Sequence, residues 1–162
     1  MKTKTWRIYL AFLLLTEGIG ALAGWLTRDA VALYQATVSK PPLSPPGWVF
    51  PVVWAALYAL MAVGAARVWM APNSRSRTLG LALFFAQLAF NFLWPLIFFS
   101  LGWFGPALLW LVALWGLVLW MIAAYEQVDP LAAWLQAPYL LWLTFAAYLN
   151  FGVWLLSSLP KG

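Results

Sequence analysis

Side chains capable of acid–base or metal chemistry are scarce in this sequence. Its 162 residues include four acidic residues, no histidine and no cysteine. The absence of both soft ligands excludes the usual transition-metal site, and a thiolate nucleophile or disulfide is excluded with it. Glu126 and Asp129 could in principle form an acid–base pair. Because Asp129 directly precedes Pro130, a helix N-cap followed by proline at the first helical position is the favoured interpretation.

Glu17 is the only acidic residue deep inside an apolar segment. An ionised carboxylate in a bilayer is costly unless it faces the interior of a helix bundle, water or a partner. Two interpretations stay open. Glu17 is either a functional carboxylate or a neutral, protonated side chain that is hydrogen-bonded to a neighbouring helix.

An aromatic face follows a proline-rich loop. Phe50, Trp54 and Tyr58 recur every four residues, so they share one face of a helix. Four prolines in residues 40–47 hold the preceding chain out of helix. Trp48 lies at the junction, where an aromatic ring belongs in the headgroup layer. We expect the stiff loop to cover a pocket that has the aromatic face as one wall.

A second face combines amides with an indole. Gln87, Asn91 and Trp94 share one side of a helix, and Pro95 cannot donate to the carbonyl of Asn91, so it should kink the helix there. The alternative is that Gln87 and Asn91 join helices through hydrogen bonds.

A third face lies beyond Pro138, which should introduce another kink. It carries Tyr139, Trp142, Ala146 and Asn150, and the small Ala146 leaves space between larger side chains. Among the 13 tryptophans, those near the ends of apolar segments are assigned to the interfacial belt. The cavity-lining candidates are Trp54, Trp94 and Trp142.

The composition determines the class of protein to which these helix faces belong. Hydrophobic residues make up 65% of the chain and charged residues 8%, far from the roughly 25% charged of soluble domains. Five segments can each span about 30 Å of hydrocarbon. We therefore predict an all-α membrane protein, a five-transmembrane-helix bundle in a single domain covering residues 1–162. The helices are expected near 6–26, 48–69, 79–100, 103–125 and 130–156, with a lid loop at 27–47.

The net charge of +5 does not indicate nucleic-acid binding, because the basic residues lie at the ends of apolar segments. An odd number of spans places the termini on opposite sides. Six basic residues on the N-terminal side against three on the other favour a cytoplasmic N-terminus.

The first segment imitates a signal peptide, but its length and Glu17 favour a retained helix. Ala82, Ala86 and Ala89 suggest a weak signal for a homodimer contact.

Three ordered stretches carry a family resemblance. They read KPPLSPPGWVFPVVWAALYALM, QLAFNFLWPLIFF and PYLLWLTFAAYLNF. The chain resembles the translocator protein family, also called tryptophan-rich sensory proteins or peripheral-type benzodiazepine receptors, and its short tail resembles bacterial, cell-envelope members. The resemblance implies a usually dimeric five-helix bundle that binds porphyrins such as protoporphyrin IX and haem beneath the first loop. In some members it implies cholesterol and benzodiazepine-site drugs as ligands.

The resemblance also implies a set of pocket residues, and no cofactor beyond porphyrin or haem as ligand. The matching positions are Trp48, Phe50, Trp54, Asn91, Trp94, Trp142, Ala146 and Leu149. Tyr58 and Gln87, from the two faces described above, complete the candidate ligand-binding residues. Leu43 stands where many relatives have tryptophan. Phe151 and Leu155 replace the tyrosine and basic residue of the cholesterol-recognition pattern, so specific sterol handling is not expected.

Three functions remain as hypotheses. The first is a porphyrin-binding sensor, regulator or carrier, with the macrocycle recognised by shape because histidine and cysteine ligands for iron are missing. The second is light-dependent oxidative breakdown of bound porphyrin, with Trp54 and Trp142 as redox partners. The third is a transporter of tetrapyrrole or sterol. The lack of an obvious inverted repeat and the presence of a single acidic residue within the spans argue against this hypothesis.

Overall fold

The computed structural model describes residues 2–159, with side chains from Thr5 onward. Its helices are α1 (Lys2–Thr37), α2 (Val49–Met70), α3 (Arg75–Pro95), α4 (Phe104–Glu126), α5 (Pro130–Trp134) and α6 (Ala137–Ser158). Every regular element among these residues is helical. Five spans are long and apolar enough to cross a membrane, with α5 and α6 together forming the fifth. The predicted fold class is confirmed.

The first helix is longer than predicted. α1 has 36 residues, about 54 Å at 1.5 Å per residue, and it continues through residues 27–37, which we had assigned to the loop. The covering loop is therefore residues 38–48. The physical reason is that residues 27–37 contain no proline or glycine to end the helix. Thr27 also satisfies its hydroxyl within the helix, donating to the carbonyl of Ala23 at 2.8 Å.

The irregularity predicted at Pro95 takes the form of a π-helical turn. Residues Leu96–Ser100 follow α3 directly in this wider geometry, which is found where an interior helix bond cannot form. The turn brings Phe98 and Phe99 against Tyr34 near the end of α1, with ring centroids 5.4 and 5.1 Å apart. These contacts fix the part of α1 that lies beyond the predicted boundary.

The fifth span is broken where Pro138 was expected to kink it. The five-residue α5 ends at Trp134, and α6 starts at Ala137, so Pro138 falls in the first turn of a new helix. The predicted N-cap is confirmed. Oδ1 of Asp129 accepts hydrogen bonds from the backbone amides of Leu131 at 3.0 Å and Ala132 at 3.3 Å.

The core lies between α2, α3, α4 and α6, while α1 packs mainly along α2. Met61, Phe84, Met121 and Tyr139, one from each of the four core helices, are fully buried. The outward faces are apolar as well, as shown by Leu109, which is 74% exposed. Such surfaces belong in lipid rather than in water.

Candidate ligand-binding site

Side chains from the three predicted faces meet at one small cavity in the bundle. Trp54 of α2, Asn91 and Trp94 of α3, and Ala146 of α6 line it. The remaining lining residues are Leu111, Leu114 and Leu143. The contribution of α4 was not identified from the sequence, because its apolar residues have no polar neighbour that distinguishes one face from another.

The cavity is far smaller than predicted. Its volume is about 10 Å³, which is about the space that one water molecule needs. The expectation of a hollow that already accommodates a flat macrocycle is therefore wrong for this structure. The reason is ring packing, which helical periodicity does not reveal. Trp54 stands 5.5 Å from Tyr58 and 6.1 Å from Tyr139, measured between ring centroids.

A buried hydrogen-bond network forms the polar side of the site. The Tyr58 hydroxyl donates to Oδ1 of Asn91 at 2.8 Å, and Nδ2 of Asn91 donates to the Tyr139 hydroxyl at 2.6 Å. The Tyr139 hydroxyl in turn donates to Oε1 of Gln87 at 2.8 Å. Because Gln87 is fully buried and away from the cavity lining, the structure shows it joining helices. Asn91 joins helices and also reaches the cavity.

The Trp94 indole is oriented by a second amide. Its Nε1 donates to Oδ1 of Asn150 at 3.2 Å, and Nδ2 of Asn150 donates to the carbonyl of Phe104 at 2.8 Å. Asn150 is almost completely buried. This pair fixes the indole plane between α3 and α6, as expected for a wall that should hold its shape.

Phe50, Trp142, Leu149 and Trp48, also predicted as site residues, do not line the cavity. Phe50 and Trp142 meet edge to face with centroids 5.9 Å apart, which closes the interval between α2 and α6 on the loop side. Leu149 is partly buried. Trp48 is 69% exposed at the junction of loop and helix, as expected for an interfacial ring.

The covering loop is attached to α6 by contacts that the sequence did not indicate. Pro41 packs against Gly152 so closely that a Cβ at Gly152 would lie 2.5 Å from Cβ of Pro41. The Tyr148 hydroxyl donates to the carbonyl of Pro42 at 2.8 Å. Lys40 Nζ donates to the carbonyl of Gln35 at 3.1 Å, so it caps the end of α1. The loop is thus docked on α6 and on the end of α1.

Glu17 and its neighbour Thr16 differ in whether they join α1 to another helix. Glu17 is partly buried on α1. Among the residues that the structure describes, its carboxylate has no hydrogen bond to a neighbouring helix, so the second of the two open interpretations is not seen here. Thr16 makes the interhelical bond instead, donating from Oγ1 to the carbonyl of Tyr58 at 2.9 Å. Glycine at position 20 allows the close approach, since a Cβ there would collide with the Tyr58 ring.

At the opposite end of the bundle, Asp129 forms an ion pair as well as an N-cap. Nε of Arg67 donates to Oδ2 of Asp129 at 2.8 Å. Burial alone would raise the pKa of Asp129, but the hydrogen bonds from Arg67 and from the backbone amides of Ala132 and Leu131 outweigh burial and hold the pKa below its usual value. Glu126 is exposed. The two carboxylates form no acid–base pair, and Asp129 is structural.

Fold and site together define a multi-pass integral membrane protein with an aromatic, amide-containing site among its helices. The model of the TspO/MBR family matches residues 12–155. The chain belongs to this family.

Named relatives span animals and bacteria. The chain is 36% identical over 151 residues to the translocator protein of Bos taurus, covering 92% of this chain and 89% of the relative. It is 42% identical over 126 residues to protein CrtK of Rhodobacter capsulatus, covering 77% and 79%. It is 38% identical over 146 residues to the tryptophan-rich sensory protein of Cereibacter sphaeroides, covering 90% and 89%.

Proposed function

We propose that this protein binds porphyrins and related planar hydrophobic ligands within the bilayer, acting as a sensor, regulator or carrier. The observation that carries the proposal is the convergence of Trp54, Trp94 and Asn91 with the small Ala146 at one buried point. Indole rings supply faces on which a macrocycle can stack, and an amide supplies a polar group that sets its orientation.

Binding requires the site to open, since about 10 Å³ does not admit a macrocycle. The least costly place is between α2 and α6, which contact each other only sparsely. Two ring contacts close the site there, Trp54–Tyr139 in the core and Phe50–Trp142 nearer the loop. The pair nearer the loop contributes only about 0.5–1.5 kcal/mol beyond its buried area. A ligand that replaces this contact with stacking on Trp142 and Trp54 offsets the cost of opening.

The ligand is recognised by its shape. The chain has no histidine or cysteine, so haem iron would have only methionine, tyrosine or water as an axial ligand. We expect metal-free protoporphyrin IX and haem to bind with similar affinity. Specific sterol binding is not part of the proposal, because Phe151 and Leu155 break the recognition pattern.

The test is a titration of the purified protein with protoporphyrin IX in darkness, followed by tryptophan fluorescence. We expect saturable quenching in the wild type and binding weakened about tenfold or more in Trp142→Ala, which corresponds to about 1.4 kcal/mol. Trp120, exposed on the outer face of α4, provides the matched control Trp120→Ala. Equal affinity of Trp142→Ala and wild type would contradict the proposal.

An experiment under light distinguishes porphyrin binding from the second hypothesis, the light-dependent oxidative breakdown of bound porphyrin. The Trp54 ring, adjacent to Tyr58 and Tyr139, supports the hypothesis of an oxidisable partner for an excited porphyrin. Repeating the titration under light and oxygen would then bleach the porphyrin absorbance at a rate that falls in Trp54→Phe. Stable absorbance in light, with quenching retained, leaves binding as the function.

We also propose a homodimer through α3 and a cytoplasmic N-terminus in a bacterial cell-envelope membrane. Ala82 and Ala89 are exposed and Ala86 is partly buried, which leaves a shallow outer surface for close helix contact. Cross-linking that is lost in Ala86→Leu tests the dimer. Labelling of single cysteines introduced at Asn73 and Ser44 from each side of the membrane tests the orientation.

A further inference from the structure

A second cleft opens at the end of the bundle opposite the covering loop. It has a volume of about 240 Å³ and lies between α1, the end of α2 and the α4–α5 connection. Its lining residues are Tyr9, Arg67, Met70, Ala71, Val128 and Asp129. The volume is several times the roughly 30 Å³ that a water molecule occupies in the liquid, so the cleft can hold a polar group of several atoms.

Arg67 is held in this cleft with donors to spare. Asp129 accepts its Nε–H at 2.8 Å, and the two side chains are 33% and 20% exposed. The two Nη groups carry the remaining donors of the guanidinium and are left for Tyr9 and for a ligand. Asp129 is itself fixed by the amides at the start of α5. The ion pair therefore positions a planar donor at the cleft and does not use all of its hydrogen-bonding capacity.

The charge at this end of the bundle favours an anion. Arg75 and Arg77 lie just beyond the end of α2, and Arg7 lies near the start of α1, outside the lining of the cleft. Against them and Arg67 stand only Asp129 and the exposed Glu126 within the described residues of this end. Arg77 is engaged by the carbonyls that end α2, including Trp69 at 2.6 Å from Nη2. An excess of positive charge remains.

The depth of the cleft matches the layer where lipid phosphates lie. Arg67 is in the last turn of α2, next to Val68 and Trp69, whose ring is partly exposed. Tryptophan at the end of a membrane helix marks the headgroup layer. Guanidinium groups bind phosphate oxygens through paired, charge-assisted hydrogen bonds.

We propose that this cleft binds the phosphate of an anionic lipid headgroup, with the Nη groups of Arg67 and the Tyr9 hydroxyl as donors. Asp129 acts as a positioning residue that holds the guanidinium in place. The site is separate from the porphyrin site and does not depend on it.

The test measures lipid binding to the full chain in detergent, by native mass spectrometry and by the shift in melting temperature. Phosphatidylglycerol, phosphatidylcholine and inorganic phosphate are titrated separately. We expect phosphatidylglycerol to bind most tightly and Arg67→Gln to weaken that binding about tenfold or more. Arg75→Gln, a charge loss at an exposed position of the same end, should leave it within about twofold. Equal losses in the two variants would overturn the proposal, because charge alone would then explain the binding.

Two further variants control for the possibility that Arg67→Gln weakens lipid binding by disturbing the fold. Arg67→Gln leaves Asp129 without its partner, so the double variant Arg67→Gln/Asp129→Asn removes both charges and should fold yet still bind weakly. Asp129→Asn alone keeps the cationic group but weakens the contact that positions it, so lipid binding should fall, though by less than in Arg67→Gln. Wild-type affinity in the folded double variant would overturn the proposal. Saturation by inorganic phosphate, with no further gain from lipid, would assign the cleft to free phosphate and overturn the lipid assignment.

Discussion

Nδ2 of Asn91 on α3 lies 2.6 Å from the hydroxyl of Tyr139 on α6, to which it donates a hydrogen bond. The same amide accepts from Tyr58 on α2 through Oδ1. One side chain therefore links three helices at the depth of the aromatic site. In the proposed binding mode, the network is the fixed side of the site and the Phe50–Trp142 contact is the side that separates to admit a ligand.

Replacing Asn91 by alanine should destabilise the bundle. The change leaves two buried tyrosine hydroxyls each lacking one partner, and such a loss costs about 1–3 kcal/mol in protein interiors. In a membrane the value should fall near the lower end, because the unfolded chain also finds partners there. Thermal unfolding in detergent measures it. The control is Asn73→Ala in the exposed α2–α3 turn, and a loss no larger than that of the control would contradict the role of the network.

A methyl group at position 152 should displace the covering loop. Gly152→Ala would place a Cβ 2.5 Å from Cβ of Pro41, so the loop must move away while the helix itself gains a better helix former. Hydrogen exchange of the amides in residues 38–48 should become faster. Gly116→Ala on α4, which meets nothing within 4 Å, is the matched control. Unchanged exchange in Gly152→Ala would show that the loop does not depend on this contact.

The Asp129 ion pair should make stability depend on pH in the acidic range. Its pKa is held below the usual value in the folded state, so the unfolded chain binds the proton more readily. The stabilisation is therefore present above the unfolded pKa, about 3.9, and is lost as the pH falls through the folded pKa. Melting temperatures between neutral and strongly acidic pH should show this loss. This acid-induced loss of stability should be smaller in Asp129→Asn than in the wild type and unchanged in Glu126→Gln. An unchanged loss in both variants would show that the Asp129 ion pair is not its cause.

The parts of the fold that depend on chain composition could be predicted, and those that depend on packing could not. Long apolar segments fix the number of spans, and proline chemistry places the irregularities after Pro95 and before Pro138. The end of α1 differs from the prediction because residues 27–37, of mixed polarity, remain helical when no proline or glycine ends the helix. Helical periodicity assigned Trp54, Asn91 and Ala146 each to a face of its own helix, and the structure places all three at one cavity. Periodicity carries no information about rotamers. For that reason neither the tight ring packing nor the attachment of Pro41 to Gly152 could be foreseen.

Filling the remaining space of the closed aromatic site shows whether a porphyrin binds there, as we propose. Ala146 lines the cavity, whereas Ala113 on α4 is exposed on the outer face. We predict that the dissociation constant for protoporphyrin IX, measured in darkness, rises about tenfold or more in Ala146→Leu and stays near the wild-type value in Ala113→Leu. Wild-type affinity in a folded Ala146→Leu variant would place the porphyrin elsewhere and contradict binding at this site.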